Sequence, residues 1–226
     1  MMIPPTNSAD CDAPNLVARS PVPIHPIMVQ SFAAIDREIG PHSFQPDEYA
    51  IVRRVIHSTA DFEFRDLIRF SPGAIAGAIA ALQRQAPIVT DVTMVQQGIK
   101  SVVAQTFQNP IISAIDLAET VLPGKTRTET GLLRCLEQYP HAIYAIGNAP
   151  TALLALCECV QSSSQRSAQP ALVIGVPVGF ISVVESKVAL AQISLPQIRV
   201  DGRKGGSAVA AAIVNALLVL AWEQAC

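Results

Sequence analysis

Short apolar runs alternate with amphipathic stretches along most of the chain, and this alternation limits the possible folds more than any other feature. The apolar runs of strand length are 67–70, 87–90, 109–114, 142–146, 171–176 and 197–200. Helical periodicity and end signals predict helices at 27–39, 46–58, 71–84, 91–98, 128–139, 149–160, 183–191 and 205–223. Strands that alternate with helices predict a single α/β domain, Rossmann-like, with a mostly parallel sheet and helices on both faces.

The two ends of the chain differ in character. Residues 1–24 contain five prolines and little periodicity, which predicts a flexible leader outside a domain of residues 25–226. The leader lacks the basic start and apolar run of a signal peptide. The apolar stretch 207–222 is shorter than the roughly 18–20 residues of a bilayer span and contains Asn215, so we expect a buried core helix and no membrane contact.

Composition excludes some classes of function. The net charge of -2 gives no basic field for nucleic acid, and only 15% of the residues are charged, so any cluster of Lys or Arg is informative. The five cysteines are irregularly spaced and do not match zinc-site patterns. We expect reduced, mostly buried thiols in a cytoplasmic protein.

The run RRVIH at 53–57 is the first candidate site. Arg54 and His57 are three residues apart on a predicted helix, so their side chains reach the same side, and Asp61 lies close enough to pair with His57 if the helix continues. Histidine is suited to carry protons near neutral pH. The run also fits a surface histidine among solvated arginines, and the local pattern alone favours that interpretation.

The run DGRKGGS at 201–207 follows a predicted strand and opens the last helix. Arg203 and Lys204 oppose the helix dipole there, and beside Gly205 and Gly206 they favour a bound anion over a merely solvated turn. In parallel sheets, ligands lie at the carboxyl ends of the strands. Asn148 falls at such an end and is a further binding candidate.

Two other patterns are less specific. Gly124, Lys125 and Thr126 resemble the end of a phosphate-binding P-loop, but the required first glycine is replaced by Glu119, so we reject that motif. Lys125 and Arg127 remain as cations that either bind an anion or are solvated. The other histidines share no ligand spacing with acidic residues, so we expect no metal site, and no dinucleotide-binding glycine motif follows a strand.

Taken together, the motifs resemble those of the precorrin-8X methylmutase family, which includes cobalt-precorrin-8 methylmutases. The similar segments are HPIMVQSFAAIDRE at 25–38, RRVIHSTADF at 53–62, DVTMV at 91–95, GNAPT at 147–151, GVPVGF at 175–180, VESK at 184–187 and GRKGGS at 202–207. Their order and spacing cover nearly everything after the leader, which makes the resemblance specific.

The resemblance implies an isomerase of cobalamin biosynthesis that moves a methyl group from C-11 to C-12 of a corrin precursor. It places the catalytic histidine on His57 and substrate-binding positions on Ser31 and Arg54. It also implies a Rossmann-like fold, a homodimer with its active site near the interface, and no redox cofactor. The corrin substrate is a flat polycarboxylate, so Arg127, Arg203 and Lys204 are further candidates to bind it.

Two other functions are compatible with parts of the sequence. A non-catalytic corrinoid carrier would use the same pocket residues and would differ only in what His57 does. A nucleotide-dependent oxidoreductase is supported by the α/β pattern and the glycine-rich turn at 202–207, but fold analogy is weak evidence and the glycine fingerprint is missing.

Overall fold

The computed structural model describes residues 25–162 and 169–225. The predicted leader at 1–24 lies outside the described residues, as does most of the polar loop expected at 162–169. The helices are α1 (Pro26–Glu38), α2 (Pro46–Thr59), α3 (Phe64–Leu67), α4 (Ala74–Gln83), α5 (Thr93–Gln105), α6 (Arg127–Gln138), α7 (Pro150–Gln161), α8 (Val183–Ala191) and α9 (Ser207–Ala225). The strands are β1 (Ile68–Phe70), β2 (Ile88–Thr90), β3 (Ile111–Ser113), β4 (Ile143–Ile146), β5 (Leu172–Gly175) and β6 (Gln197–Val200).

The six strands form one sheet in the order β1-β6-β5-β4-β2-β3. All neighbours pair in parallel except β1, which runs antiparallel to β6 with Ile68 opposite Val200. Strands β4 and β5 are buried along their whole length, as expected for parallel strands covered on both faces. The predicted α/β fold with a mostly parallel sheet is therefore confirmed.

Helix α9 is the centre of the larger of two hydrophobic clusters, and it packs against α2, α4 and α5. By length and composition alone it could cross a membrane, but 56% of its most apolar window is buried inside the protein. That burial is typical of a core helix, as its sequence predicts. The smaller cluster lies on the other face of the sheet, under α6 and α7.

Local signals explain where most helices begin. Pro26 and Pro46 occupy the first turns of α1 and α2, where a missing N–H costs nothing. Helix α6 begins at Arg127, one residue earlier than predicted, because Thr126 is its N-cap and accepts from the N–H of Glu129 at 3.1 Å. The Glu129 carboxylate in turn accepts from the N–H of Thr126 at 3.3 Å.

Candidate active site

The carboxyl ends of the parallel strands bring the predicted glycine-rich and polar segments to one edge of the sheet. The segment after β4 begins at Gly147, and the segment after β6 contains Gly205 and Gly206. These two segments touch, since a Cβ on Gly147 would lie 2.9 Å from Cα of Ser207. The edge therefore forms one continuous surface, as predicted for a ligand site in this kind of fold.

Asp91, directly after β2, shapes the segment after β4. Its side chain is fully buried, and its Oδ2 accepts from the backbone N–H groups of Asn148 at 2.6 Å and Ala149 at 2.8 Å. Burial raises the pKa of Asp91, and the backbone N–H groups oppose that rise. The result is a fixed turn that leaves Asn148 exposed at the edge of the sheet. Asp91 lay in a recognised motif, but the sequence assigned it no function.

Gly205 is required by the geometry of the segment after β6. Its φ of +152° is rarely adopted by other residues, and a Cβ there would lie 2.2 Å from the carbonyl oxygen of Val176. The N–H of Gly206 donates to the same oxygen at 2.8 Å. The segment after β6 is thus packed directly on the segment after β5, and only glycine permits so close an approach.

His57 lies in the last turn of α2 with its side chain exposed. Its Nδ1 is 2.8 Å from Oγ of Ser31 on α1, so the two residues that the family resemblance selected are hydrogen bonded. The ring of Phe32 meets the imidazole edge-on, with 5.3 Å between ring centroids. These contacts orient the imidazole, and its other nitrogen makes no hydrogen bond to any residue that the structure describes.

Arg53 supports this arrangement from the next turn of α2. Its guanidinium carbon lies 4.5 Å from the centre of the Phe32 ring, and its Nη1 forms an ion pair with Asp36 at 3.1 Å. Tyr49 donates a hydrogen bond to the same carboxylate. The sequence pattern showed Arg53 next to Arg54, but the packing of α1 on α2 that makes Phe32 its partner could not be read from spacing.

Asp61 does not pair with His57, and that expectation was wrong. Helix α2 ends at Thr59, and Ala60 adopts a left-handed conformation, which turns the chain before Asp61. The Asp61 carboxylate instead lies 2.6 Å from Nζ of Lys204, whose ammonium also lies 2.8 Å from Glu63. The hydrogen bond from Lys204 lowers the pKa of Asp61. Lys204 thus has two internal carboxylate partners, which leaves it less free to bind an external anion.

Arg54 is half-buried on α2. It lines a cavity of about 300 Å³ between α1, α2 and α9, together with Phe32, Leu220 and Glu223. Burial lowers the pKa of Arg54, as does the charge of Arg53, whereas Glu223 raises it. Within residues 25–162 and 169–225, the Arg54 guanidinium makes no hydrogen bond or ion pair. A cation so placed is suited to an anionic group that enters the cavity.

The remaining candidate cations lie along the same edge of the sheet. Arg203 is exposed, with its guanidinium carbon 5.7 Å from the centre of the Phe180 ring. Arg127 is exposed and is the first residue of α6. The hydroxyl of Thr126, its neighbour, lies 3.3 Å from the hydroxyl of Thr151 at the start of α7. Lys125, by contrast, forms an ion pair with Glu129 at 2.5 Å.

The candidate residues fall into neighbouring groups. His57, Ser31 and Phe32 form one group on α1 and α2, and Arg54 lies one turn before His57 on α2. Arg203 and the two glycines form the other group, which the Lys204–Asp61 ion pair holds against the end of α2. Asn148 follows β4, and Arg127 is next to Thr126, whose hydroxyl contacts that of Thr151 at the start of α7. An exposed histidine at the end of α2 thus lies near an edge of the sheet that carries exposed cations.

Comparisons with known proteins show the family to which the chain belongs. A family model described as precorrin-8X methylmutase matches residues 26–220. The chain belongs to the precorrin-8X methylmutase family. It is therefore an isomerase of cobalamin biosynthesis, as the resemblance implied.

Individual family members are similar over most of their length. A cobalt-precorrin-8 methylmutase from Synechocystis sp. is 57% identical over 214 residues, which cover 88% of this chain and 97% of that protein. A precorrin-8X methylmutase from Pseudomonas aeruginosa is 40% identical over 195 residues, with 83% and 91% covered. The crystal structure of precorrin-8x methyl mutase from Thermus thermophilus superposes with a TM-score of 0.81 at 39% identity, and covers 88% of this chain and 96% of that one.

Proposed function

We propose that the chain moves a methyl group from C-11 to C-12 of precorrin-8X or its cobalt-containing counterpart, with His57 as proton donor and acceptor. The observation that carries the proposal is the hydrogen bond between His57 and Ser31 on an exposed helix end. A methyl shift within a conjugated ring breaks no polar bond. Protonation of the macrocycle would redistribute its electrons and ease migration, and a histidine is suited to give that proton and take it back.

We propose that the substrate carboxylates bind cations that form no ion pair with any of the described residues. Arg203 and Arg127 are exposed, and Arg54 lines a cavity. The single backbone N–H of Gly205 and the side chain of Asn148 offer uncharged donors on the same edge. Lys204 is proposed to bind substrate more weakly than the sequence suggested, because Asp61 and Glu63 already surround its ammonium.

The decisive experiment is the conversion of purified substrate, followed by its absorption spectrum. His57→Ala is expected to lower kcat by at least about 100-fold, with substrate binding largely retained. His141→Ala is the matched control, since His141 is exposed in the turn before β4, outside the group around His57. Wild-type turnover by His57→Ala would overturn the role of His57. A protein that binds substrate without any spectral change would be a carrier, and the proposed reaction would be wrong.

The metal content of the substrate is a second part of the proposal. The Synechocystis relative, at 57% identity, is named for the cobalt-containing form, so we propose that this chain acts on that form. Parallel assays with cobalt-loaded and metal-free substrate test it. A higher kcat/KM for the metal-free form would contradict the assignment and leave the role of His57 unaffected.

We also propose that two copies of the chain form a homodimer beside the site. Phe180 and Ile181 are 83% and 81% exposed in the single chain, and Val178, Val184 and Val188 extend the same apolar surface. A surface of this kind next to a site is typical of a protein interface. Light scattering is expected to give twice the chain mass, and Ile181→Glu is expected to shift it to the monomer. A monomeric wild type would overturn this part.

The protein is proposed to act in the cytoplasm. Helix α9 could reach a membrane only if it left the core, since it packs against three other helices. Cell fractionation is expected to place the full chain in the supernatant after ultracentrifugation. Recovery in the membrane pellet would contradict the proposed location.

A further inference from the structure

Lys187 on α8 is a buried lysine that the proposed reaction does not use. Its side chain is among the largest that are fully buried, with only 2% of the residue exposed. Its ammonium donates to two backbone carbonyl oxygens, those of Gly202 at 2.9 Å and Lys204 at 2.6 Å. Burial lowers the pKa of Lys187 to about 8, and Asp201 opposes that change.

A buried ammonium is costly, and an apolar residue of similar length would fill the same space without that cost. Asp201, the carboxylate that acts on Lys187, is itself shared between Arg69 at 3.0 Å and Arg199 at 3.3 Å. Within the described chain, Lys187 has no ion pair of its own. Its contacts are therefore directed at the backbone after β6 rather than at a neutralising carboxylate.

Three successive carbonyl groups of that segment are held from inside the protein. Lys187 binds the oxygens of Gly202 and Lys204, and the N–H of Gly179 donates to the oxygen of Arg203 at 3.3 Å. In the part of the chain that the structure describes, the N–H groups of Lys204 and Gly205 have no acceptor. Because the carbonyl oxygens of this segment accept hydrogen bonds from inside the protein, the two N–H groups can donate hydrogen bonds to an anion.

We propose that Lys187 is a positioning residue that holds the segment 201–206 in the conformation that binds substrate carboxylates. This proposal rests on the proposed function for the identity of the ligand. Lys187 touches no substrate, and it acts through the backbone oxygens of Gly202 and Lys204. Its loss should therefore weaken binding more than it slows the chemical step.

The test compares Lys187→Met with the wild type and with Lys100→Met, which removes an exposed ammonium from the middle of α5. In Lys187→Met, KM is expected to rise about tenfold while kcat changes by less than about threefold. Hydrogen–deuterium exchange is expected to accelerate in peptides that cover 201–206 and to stay unchanged in β4 and β5. Lys100→Met should alter neither measurement.

Several outcomes would overturn the proposal. An unchanged KM in folded Lys187→Met would do so, as would faster exchange throughout the chain. If the methionine variant does not fold, Lys187→Gln keeps an N–H donor on a shorter stem and is expected to show the same rise in KM. If neither variant folds, Lys187 is required for the stability of the core, and the proposed positioning role is wrong. The exchange measurement needs no substrate, so it tests the role of Lys187 even if the proposed reaction is wrong.

Discussion

Lys204 Nζ lies 2.6 Å from the carboxylate of Asp61, and this ion pair joins the end of α2 to the segment after β6. His57 is four residues before Asp61, and Arg203 is the neighbour of Lys204. The pair thus connects the proposed proton carrier to the proposed carboxylate-binding surface. We expect it to fix the distance between these two segments, which lie far apart in the sequence.

Asp61→Asn is expected to weaken this connection in a manner that depends on pH. The pKa of Asp61 is lowered from its ordinary value of 3.8, chiefly by the hydrogen bond from Lys204, so the folded state favours the carboxylate. The stabilisation is therefore complete above about pH 5 and is lost as the pH falls through the lowered pKa. Solvent screens the pair, so the effect is small.

Urea denaturation at several pH values measures this effect. The wild type is expected to unfold at a higher urea concentration than Asp61→Asn at pH 7, and the difference should shrink below about pH 4. Asp66→Asn, which alters an exposed carboxylate on α3, is the control. A difference that stayed constant from pH 7 to pH 3 would show that the carboxylate charge is not what stabilises the connection.

Ser31→Ala is expected to lower kcat about tenfold and to change KM by less than about twofold, because we expect the Ser31 hydroxyl to act mainly through its hydrogen bond to the His57 imidazole. Steady-state kinetics on the spectral change separates the two constants. Ser101→Ala, an exposed serine on α5, should match the wild type. A rise in KM with kcat unchanged would assign Ser31 to substrate binding instead.

Asp91→Asn is expected to destabilise the protein by about 1–3 kcal/mol, because an amide can direct an N–H group at the N–H donors of Asn148 and Ala149. Substrate binding should weaken with it, since the turn that exposes Asn148 depends on those bonds. Chemical denaturation and KM measure the two effects. Asp116→Asn alters an exposed carboxylate after β3 and should change neither the stability nor KM. If both variants lost the same stability and the same substrate affinity, Asp91 would have no special role.

The sequence predicted the sheet and most helices because their signals are local. The predicted limits of α8 and β6 agree with the structure to the residue. Helix α5 was predicted to end at Gly98 but continues to Gln105. Gly98 lies inside α5 at a point where α9 packs against it. A Cβ on Gly98 would lie 2.7 Å from Cβ of Ala211, so this packing requires a glycine there. A glycine required by packing thus has the same local pattern as a glycine that ends a helix.

The candidate site was predicted as a set of residues but not as a set of contacts. The family resemblance selected Ser31 and His57 together, and the structure brings them within 2.8 Å. The partner of Asp61 could not be predicted, because it depends on the left-handed turn at Ala60, a residue type that does not signal such a conformation. The burial of Arg54 depends likewise on the position of α9 against α2, which no local pattern specifies.

Gly205→Ala is expected to impair both folding and binding, whereas Gly40→Ala should impair folding alone. Both glycines have positive φ, at +152° and +70°, so both substitutions strain the backbone. A Cβ on Gly40 meets nothing within 4 Å, whereas one on Gly205 would lie 2.2 Å from the carbonyl oxygen of Val176.

Gly205→Ala must therefore push this segment away from the segment after β5, with a loss of stability of more than about 2 kcal/mol and a rise in KM of at least about tenfold. Denaturation and steady-state kinetics at a temperature where both variants are folded measure these changes. If Gly205→Ala retained the wild-type KM, the close packing of this segment on the segment after β5 would not be what positions the carboxylate-binding surface.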